Sequence, residues 1–191
     1  EKEITAYHEA GHAVVAHSLP NADPVHKISI IARGMMGGYT RLLPTEDRNM
    51  WTYAQFNDTL ATMLGGHTAE NLIFGEVTTG AGSDLEQVAR ISRRMVTDYG
   101  MSEKLGPRTF GRREDLVFLG REVAEQKDYS EKTAEEIDAE VHSIVQRAQK
   151  VAREVLTANK DKLVKLAEAL IASETIEGEA LEALLGKREN A

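Results

Sequence analysis

Hydrophobic positions near the start of the chain recur at helical intervals between about Glu3 and Ser18, and Pro20 follows them. The residues on this face are Ile4, Gly11, Val14 and Val15. Apolar residues spaced three and four apart are typical of an amphipathic helix, and a proline just beyond them is typical of its end. The pattern therefore predicts a helix over about residues 3–18.

The next stretch has the composition of a β-hairpin. Val25 to Ile31 is rich in β-branched residues, Ala32 to Gly38 contains three glycines, and Tyr39 to Leu43 resumes an extended pattern before Pro44. Two such runs separated by a glycine-containing turn are typical of antiparallel strands. We expect a hairpin here.

Helical spacing returns from Trp51 to Phe74, with a weak point at Gly65 and Gly66. A loop over Val77 to Gly82 should follow, since it is rich in threonine and glycine. Ser83 with Glu86 three residues later has capping-box spacing. These features predict that another helix starts at Asp84.

The last third of the chain is predicted to be helical. One long amphipathic helix is expected from Ser130, a second around Leu163 to Leu170, and a short third over Ala180 to Leu185. The segment from Met101 to Glu122 is rich in loop-forming residues, and we assign it no function. The predicted fold class is therefore mainly α with a small β-sheet or hairpin, and the C-terminal half forms a helical bundle.

The composition restricts the partners and the metal ligands that the chain can have. The 191 residues carry 23 Lys and Arg against 31 Asp and Glu, a formal net charge of -8. This balance argues against nucleic acid as a partner, because binding a phosphate backbone requires a basic surface. There is no cysteine, so a transition-metal site must be built from His, Asp and Glu.

The predicted first helix carries the sequence HEAGH, from His8 to His12. At about 100° per residue the two histidines lie about 40° apart on the helix surface, so both rings can reach one ion, with Glu9 beside them. Zinc held by two such histidines activates water, and the glutamate between them can act as its general base. Small Ala10 and Gly11 allow another element to approach closely. The alternative, a chance pair of ordinary histidines, is disfavoured by the helical context.

Catalytic zinc usually has a third protein ligand. The metzincin pattern requires a histidine at position 18, where Ser18 stands, and His17 points about 140° away from His12, towards solvent. Glu70 in GGHTAENLIFG and Asp84 in TTGAGSDLEQ are both candidates. Spacing alone leaves the choice between them open.

Seven segments, in order along nearly the whole chain, resemble the peptidase domain of FtsH-type ATP-dependent zinc metalloproteases. They are HEAGHA, DPVHKISII, GGYTRLLP, GGHTAENLIFG, TTGAGSDLEQ, MVTDYGMSEKLGP and VFLGRE. The resemblance implies that His8, His12 and Asp84 bind zinc, that Glu9 is the catalytic base, and that Glu70 has a supporting role near the metal. It further implies one zinc per chain and a division into a catalytic subdomain (1–128) and a C-terminal helical subdomain (129–191).

The same resemblance implies a zinc-dependent endopeptidase that cleaves unfolded or translocated proteins in membrane-protein and protein quality control. Gly38 to Leu43 would receive an extended substrate by strand addition. A homohexameric ring is expected, anchored to a membrane with this domain on the cytoplasmic side or the equivalent organelle side. The chain has no Walker A pattern and no apolar run of about 20 residues, so ATP binding and anchoring are expected from a preceding module, and this part alone is expected to be soluble. The alternative function is a non-catalytic, hexamer-forming assembly module with a structural or empty metal site.

Overall fold

The computed structural model describes residues 1–32, 34, 37–111 and 127–188. Within these residues the chain forms helices and three short strands. In chain order they are α1 (Lys2–Ser18), β1 (Val25–Ser29), β2 (Tyr39–Leu42), α2 (Tyr53–Met63), α3 (Gly65–Phe74), α4 (Gly82–Thr97), α5 (Glu131–Ala158), α6 (Lys160–Ser173), β3 (Thr175–Glu177) and α7 (Gly178–Leu185). The predicted mainly α fold with a small sheet is confirmed.

The three strands form one antiparallel sheet in the order β2-β1-β3. Ser29 pairs with Tyr39 in the predicted hairpin, and Ile28 pairs with Ile176 of β3 on the other side. β3 was not predicted, because a three-residue strand between two helices has too few positions to show a period. Among the described residues β2 therefore lies at one edge of the sheet.

α1 packs against α3 and α6 and is buried along most of its length. Its close approach to α3 depends on paired glycines. A Cβ added to Gly65 would lie 2.7 Å from the carbonyl oxygen of Gly11, well inside ordinary contact distance. Helix axes usually stay 8–10 Å apart because side chains separate them, so a glycine pair lets two backbones come closer. Gly11, one of the small residues that the sequence places beside the histidines, therefore faces α3.

The chain forms two compact units, and each has buried apolar residues. The first contains residues 1–88 and 146–191, and the second contains residues 89–145. Val14, Ile28 and Leu166 are fully buried in the first unit, and Met95 and Ile137 in the second. The predicted boundary at residue 128 separates a catalytic from a C-terminal helical subdomain by function, not by compactness, and it stays a prediction.

Two local predictions required correction. The predicted helix from Trp51 to Phe74 is two helices that meet at Leu64, next to the predicted weak point. α4 begins at Gly82, so Ser83 lies inside its first turn and is not the N-cap. The hydroxyl of Thr78 instead accepts a hydrogen bond from the Gly80 N–H, at the start of a single 3-10 turn that leads into α4.

Candidate metal centre and active site

Three side chains from two helices converge in front of α1. His8 and His12 lie on successive turns of α1, and Asp84 projects from the first turn of α4. Their ligand atoms all lie within 4.8 Å of one another. The two imidazole Nε2 atoms are 3.0 Å apart, and Asp84 Oδ2 lies 3.2 Å from that of His8 and 3.3 Å from that of His12. Helical spacing aligns the histidines as predicted, and the chain fold supplies the acid.

The other nitrogen of each ring is held by an acceptor. Nδ1 of His12 donates to the main-chain carbonyl of Thr62 at 2.8 Å, and Nδ1 of His8 donates to Glu70 Oε1 at 2.6 Å. Glu70 is 1% exposed, and its Oε2 accepts the N–H of Thr78 at 2.7 Å. Acceptors on Nδ1 fix the tautomer, so the neutral rings present their Nε2 lone pairs to each other and to Asp84.

Lone pairs that face each other at 3 Å require a positive charge between them. In the protein without metal a proton meets this requirement. Burial is the largest influence on His12 and lowers its pKa, but the hydrogen bond and charge of Asp84, the charge of Glu9 and the Thr62 carbonyl together raise the pKa to about 9. Burial raises the pKa of Asp84, yet the two histidines outweigh it and hold this pKa below its ordinary value. The cluster is electrostatically a cation site.

The donor set fits zinc. Zinc bonds to His nitrogen and carboxylate oxygen are about 2.0–2.2 Å long, so neighbouring donors of a tetrahedral ion lie roughly 3.3–3.5 Å apart. The three donor separations here, 3.0, 3.2 and 3.3 Å, are close to that value. Two neutral imidazoles, one carboxylate and a fourth side open to the cleft are typical of a catalytic site. Glu70 holds the far nitrogen of a histidine, as acids beside metal-bound histidines commonly do.

Gly66 of α3 makes room for the two rings. A Cβ at this position would lie 2.5 Å from Cε1 and Nε2 of His8 and 2.7 Å from Nε2 of His12. Since real Cβ contacts are almost never that short, any side chain here would displace the imidazoles. The glycine that appears in the sequence as a weak point in a helix is thus part of the site.

Glu9 is 7% exposed and faces β2. Its Oε2 accepts a hydrogen bond from the hydroxyl of Thr40 at 2.8 Å, and the same hydroxyl lies 2.9 Å from the main-chain carbonyl oxygen of Glu9. Gly38 lies just before β2, where a Cβ would sit 3.0 Å from Glu9 Cγ. The glutamate of the motif is therefore held between α1 and the start of β2.

These groups line one cavity of about 710 Å³. His8, Glu9, His12, Glu70 and Asp84 form its polar wall. Apolar side chains and the strand β2 also line it, among them Ile4, Leu42, Met63 and residues 37–40. The cleft thus places a carboxylate, a cation site and a sheet edge together.

The five sequence-predicted site residues all meet at this cavity. Glu70 and Asp84, which spacing could not separate, contact different nitrogens of His8: Asp84 meets Nε2 beside His12, and Glu70 meets Nδ1. α3 is the element that packs closely against α1 at Gly11. The acid beside both Nε2 atoms is Asp84, which comes from α4. His17 is partly buried in a separate cavity, so its predicted solvent-facing position is wrong.

Sequence reasoning did not find four contributors: the Thr62 carbonyl, Gly66, Thr78 and Thr40. A main-chain carbonyl leaves no mark in a sequence, because every residue carries one. Thr78 and Thr40 are ordinary threonines in segments whose composition indicates only a loop and a strand. Only Gly66 stood out, as a glycine inside a helical pattern.

A mainly helical domain with a His-Glu-x-x-His helix facing an acid on another helix has the architecture of a zincin-type metallopeptidase. The chain belongs to peptidase family M41, whose family model matches residues 1–184. The predicted resemblance to FtsH-type peptidase domains is thereby confirmed.

Curated relatives agree with this family. The chain is 59% identical over 184 residues to the ATP-dependent zinc metalloprotease FtsH 1 of Sphaerobacter thermophilus, covering 96% of this chain and 28% of the relative. It is 57% identical to FtsH 1 of Thermomicrobium roseum with the same coverage. It is 53% identical over 188 residues to FtsH of Chloroflexus aggregans, covering 97% and 29%. The chain spans less than a third of the length of these relatives.

Proposed function

We propose that this domain is a zinc-dependent endopeptidase in which His8, His12 and Asp84 hold one zinc ion and Glu9 is the general base. The observation that carries the proposal is the direction of the two imidazoles. Both Nδ1 atoms are bound to acceptors, so both Nε2 atoms converge with Asp84 where only a cation satisfies all three.

Zinc bound there supplies a Lewis acid, which polarises a peptide carbonyl and makes water nucleophilic at neutral pH. Glu9 takes the proton of the attacking water on its carboxylate and passes it to the amine that leaves. Glu9 is 7% exposed and lines the cavity, so its carboxylate is largely screened from bulk solvent and faces the cleft. Glu70 keeps the His8 ring in place by accepting at Nδ1.

The substrate is proposed to be an extended segment of an unfolded or translocated protein. β2 lies at the sheet edge and lines the cavity that contains the histidines. A strand added beside Thr40 to Leu42 would bring its peptide bonds past the metal centre, because β2 lines the same cavity. Main-chain pairing of this kind binds an extended chain with little regard to its sequence. Ile4 and Met63 offer apolar contact for a substrate side chain.

The activity of the whole protein is a broader proposal. The relatives are called ATP-dependent, and this chain covers less than a third of their length. We place the ATP-driven step, assembly as a homohexamer and a membrane anchor in the full-length protein, with this domain on the cytoplasmic or equivalent side. Within the described residues no helix is long and apolar enough to cross a membrane.

The test compares the native chain with Glu9→Gln. Both should bind about one zinc per chain, since Glu9 is not among the converging donors. Only the native chain should degrade an unfolded casein-type protein, because the amide cannot accept the proton. Equal degradation by both would refute the role of Glu9, and a zinc-loaded native chain that cleaves nothing would favour the non-catalytic assembly module.

A further inference from the structure

The side chain of Thr40, in β2, contacts Glu9 directly. Its hydroxyl has a single hydrogen and two acceptors within reach, Oε2 at 2.8 Å and the main-chain carbonyl oxygen at 2.9 Å, both of which belong to Glu9. Whichever bond forms at a given moment, the hydroxyl ties the strand to this glutamate.

The backbone beside Thr40 leaves the glutamate little freedom. A Cβ on Gly38 would lie 2.9 Å from the Ser29 carbonyl oxygen and 3.0 Å from Glu9 Cγ, so the start of β2 is pressed against the stem of the side chain. Thr40 pairs with Ile28 of β1, which is fully buried, so the strand itself is anchored in the sheet. The stem is confined by the backbone and one carboxylate oxygen is held by the hydroxyl.

We propose that Thr40 is a positioning residue for the general base: its hydroxyl holds one oxygen of Glu9 so that the other is directed at the reacting centre. This inference rests on the proposed function. Because Thr40 lies in the strand proposed to receive substrate, β2 would both bind the peptide chain and, through Thr40, orient the base. A base that must take a proton needs a defined orientation, and a displacement of about 1 Å can cost roughly 100-fold in rate.

The test uses the 191-residue chain loaded with zinc and a quenched fluorescent peptide as substrate. Thr40→Val keeps the shape and the β-branch and removes only the hydroxyl. We expect kcat to fall by about 10–100-fold with KM changed by less than about twofold, and zinc content and melting temperature to stay near the native values. Thr40→Ser restores the hydroxyl and should recover kcat to within about threefold.

The matched control is Thr175→Val. Thr175 lies in β3 of the same sheet, where its hydroxyl bonds to that of Ser29 at 2.8 Å. This variant also loses one threonine hydroxyl bond from the sheet and should keep kcat within about twofold of the native chain. If Thr40→Val does not fold, Thr40→Ala against Thr40→Ser gives the same comparison.

Three results would overturn the inference: full activity of Thr40→Val, a kcat of Thr40→Ser as low as that of Thr40→Val, or loss of zinc together with loss of kcat. The first would show that the Thr40–Glu9 hydrogen bond does not contribute to kcat. The second would show that the shape of the Thr40 side chain, rather than its hydroxyl, determines kcat. The third would show that Thr40 acts through the metal site. The proposed function fails separately, since it requires that the native chain cleave the peptide and Glu9→Gln not cleave it. If the native chain and Thr40→Val are equally active, only the positioning role is refuted.

Discussion

Replacing Gly66 by alanine adds one methyl group where two imidazoles already meet. The new Cβ would start 2.5 Å from His8 Nε2 and 2.7 Å from His12 Nε2. Ordinary contact between heavy atoms is about 3.5–4.0 Å, so the rings or α3 must retreat by about 1 Å. The rings cannot rotate freely, because the Thr62 carbonyl and Glu70 hold their other nitrogens.

Two opposing effects act on stability. Alanine in place of glycine inside a helix stabilises by about 1 kcal/mol, whereas overpacking a tight contact costs about 1–3 kcal/mol. The net change in the free energy of unfolding should therefore be small, between about zero and 2 kcal/mol of destabilisation. Zinc affinity should change more, by about 100-fold, because changes just outside a metal site typically cost about 10–100-fold and here the ligand atoms themselves are displaced. A 100-fold loss corresponds to about 2.7 kcal/mol.

Chelator competition measures the zinc dissociation constant, and thermal unfolding of the metal-free chain measures the stability. Gly82→Ala is the control: Gly82 is also helical, but nothing lies within 4 Å of the position of its Cβ. It should bind zinc like the native chain. If Gly66→Ala bound zinc as tightly as Gly82→Ala, the close approach of α3 to the rings would not matter and the reasoning would be wrong.

Further outcomes follow from the groups around the imidazoles. Glu70→Gln should weaken zinc binding by about 10–100-fold, as measured by chelator competition, while Glu86→Gln on the exposed face of α4 should not; equal affinities would remove the supporting role of Glu70. Because a proton on His12, with its pKa of about 9, competes with zinc, the apparent dissociation constant should fall about tenfold per pH unit from pH 7 to 9 and level off above; a flat profile would contradict this. In the metal-free chain the pKa of His12 is raised, so its contribution to the free energy of unfolding is fully present below the ordinary pKa of 6.5 and is lost as the pH rises through about 9. The pKa of Asp84 is lowered, so its contribution is present above the ordinary pKa of 3.8 and is lost in acid. Urea unfolding with chelator should therefore show greatest stability between about pH 4 and 6.5, and an optimum at pH 9 would refute the sign.

Local patterns were sufficient to predict the histidine pair and the long elements in which the apolar pattern repeats several times. His8 and His12 lie on the predicted helix because helical geometry alone brings positions four apart to one face. The long α5 follows equally from its apolar spacing. The hairpin β1–β2 was recognisable because its strands are neighbours in the sequence and a glycine-rich turn joins them.

Features that depend on distant contacts could not be found in this way. β3 exists because Ile176 reaches Ile28 across nearly 150 residues, and nothing in three residues signals such a partner. The N-cap predicted at Ser83 failed for a related reason. Thr78 caps a 3-10 turn that precedes α4, and the helix continues from that turn without needing a new cap.

The choice between Glu70 and Asp84 shows the same limit at the site itself. Both are acids in helices far along the chain from His8, and the sequence does not say which ring nitrogen each one meets. The fold decides it: α3 crosses α1 so closely that its acid lies behind His8, at Nδ1, while α4 approaches from the open side, at Nε2. An acid at Nδ1 fixes the tautomer of the ring, and an acid at Nε2 is placed to share a bound cation. The two chemically similar carboxylates therefore meet different nitrogens because glycines let α3 lie close both to α1 and to the imidazole rings, and the substitution at Gly66 tests the second of these approaches.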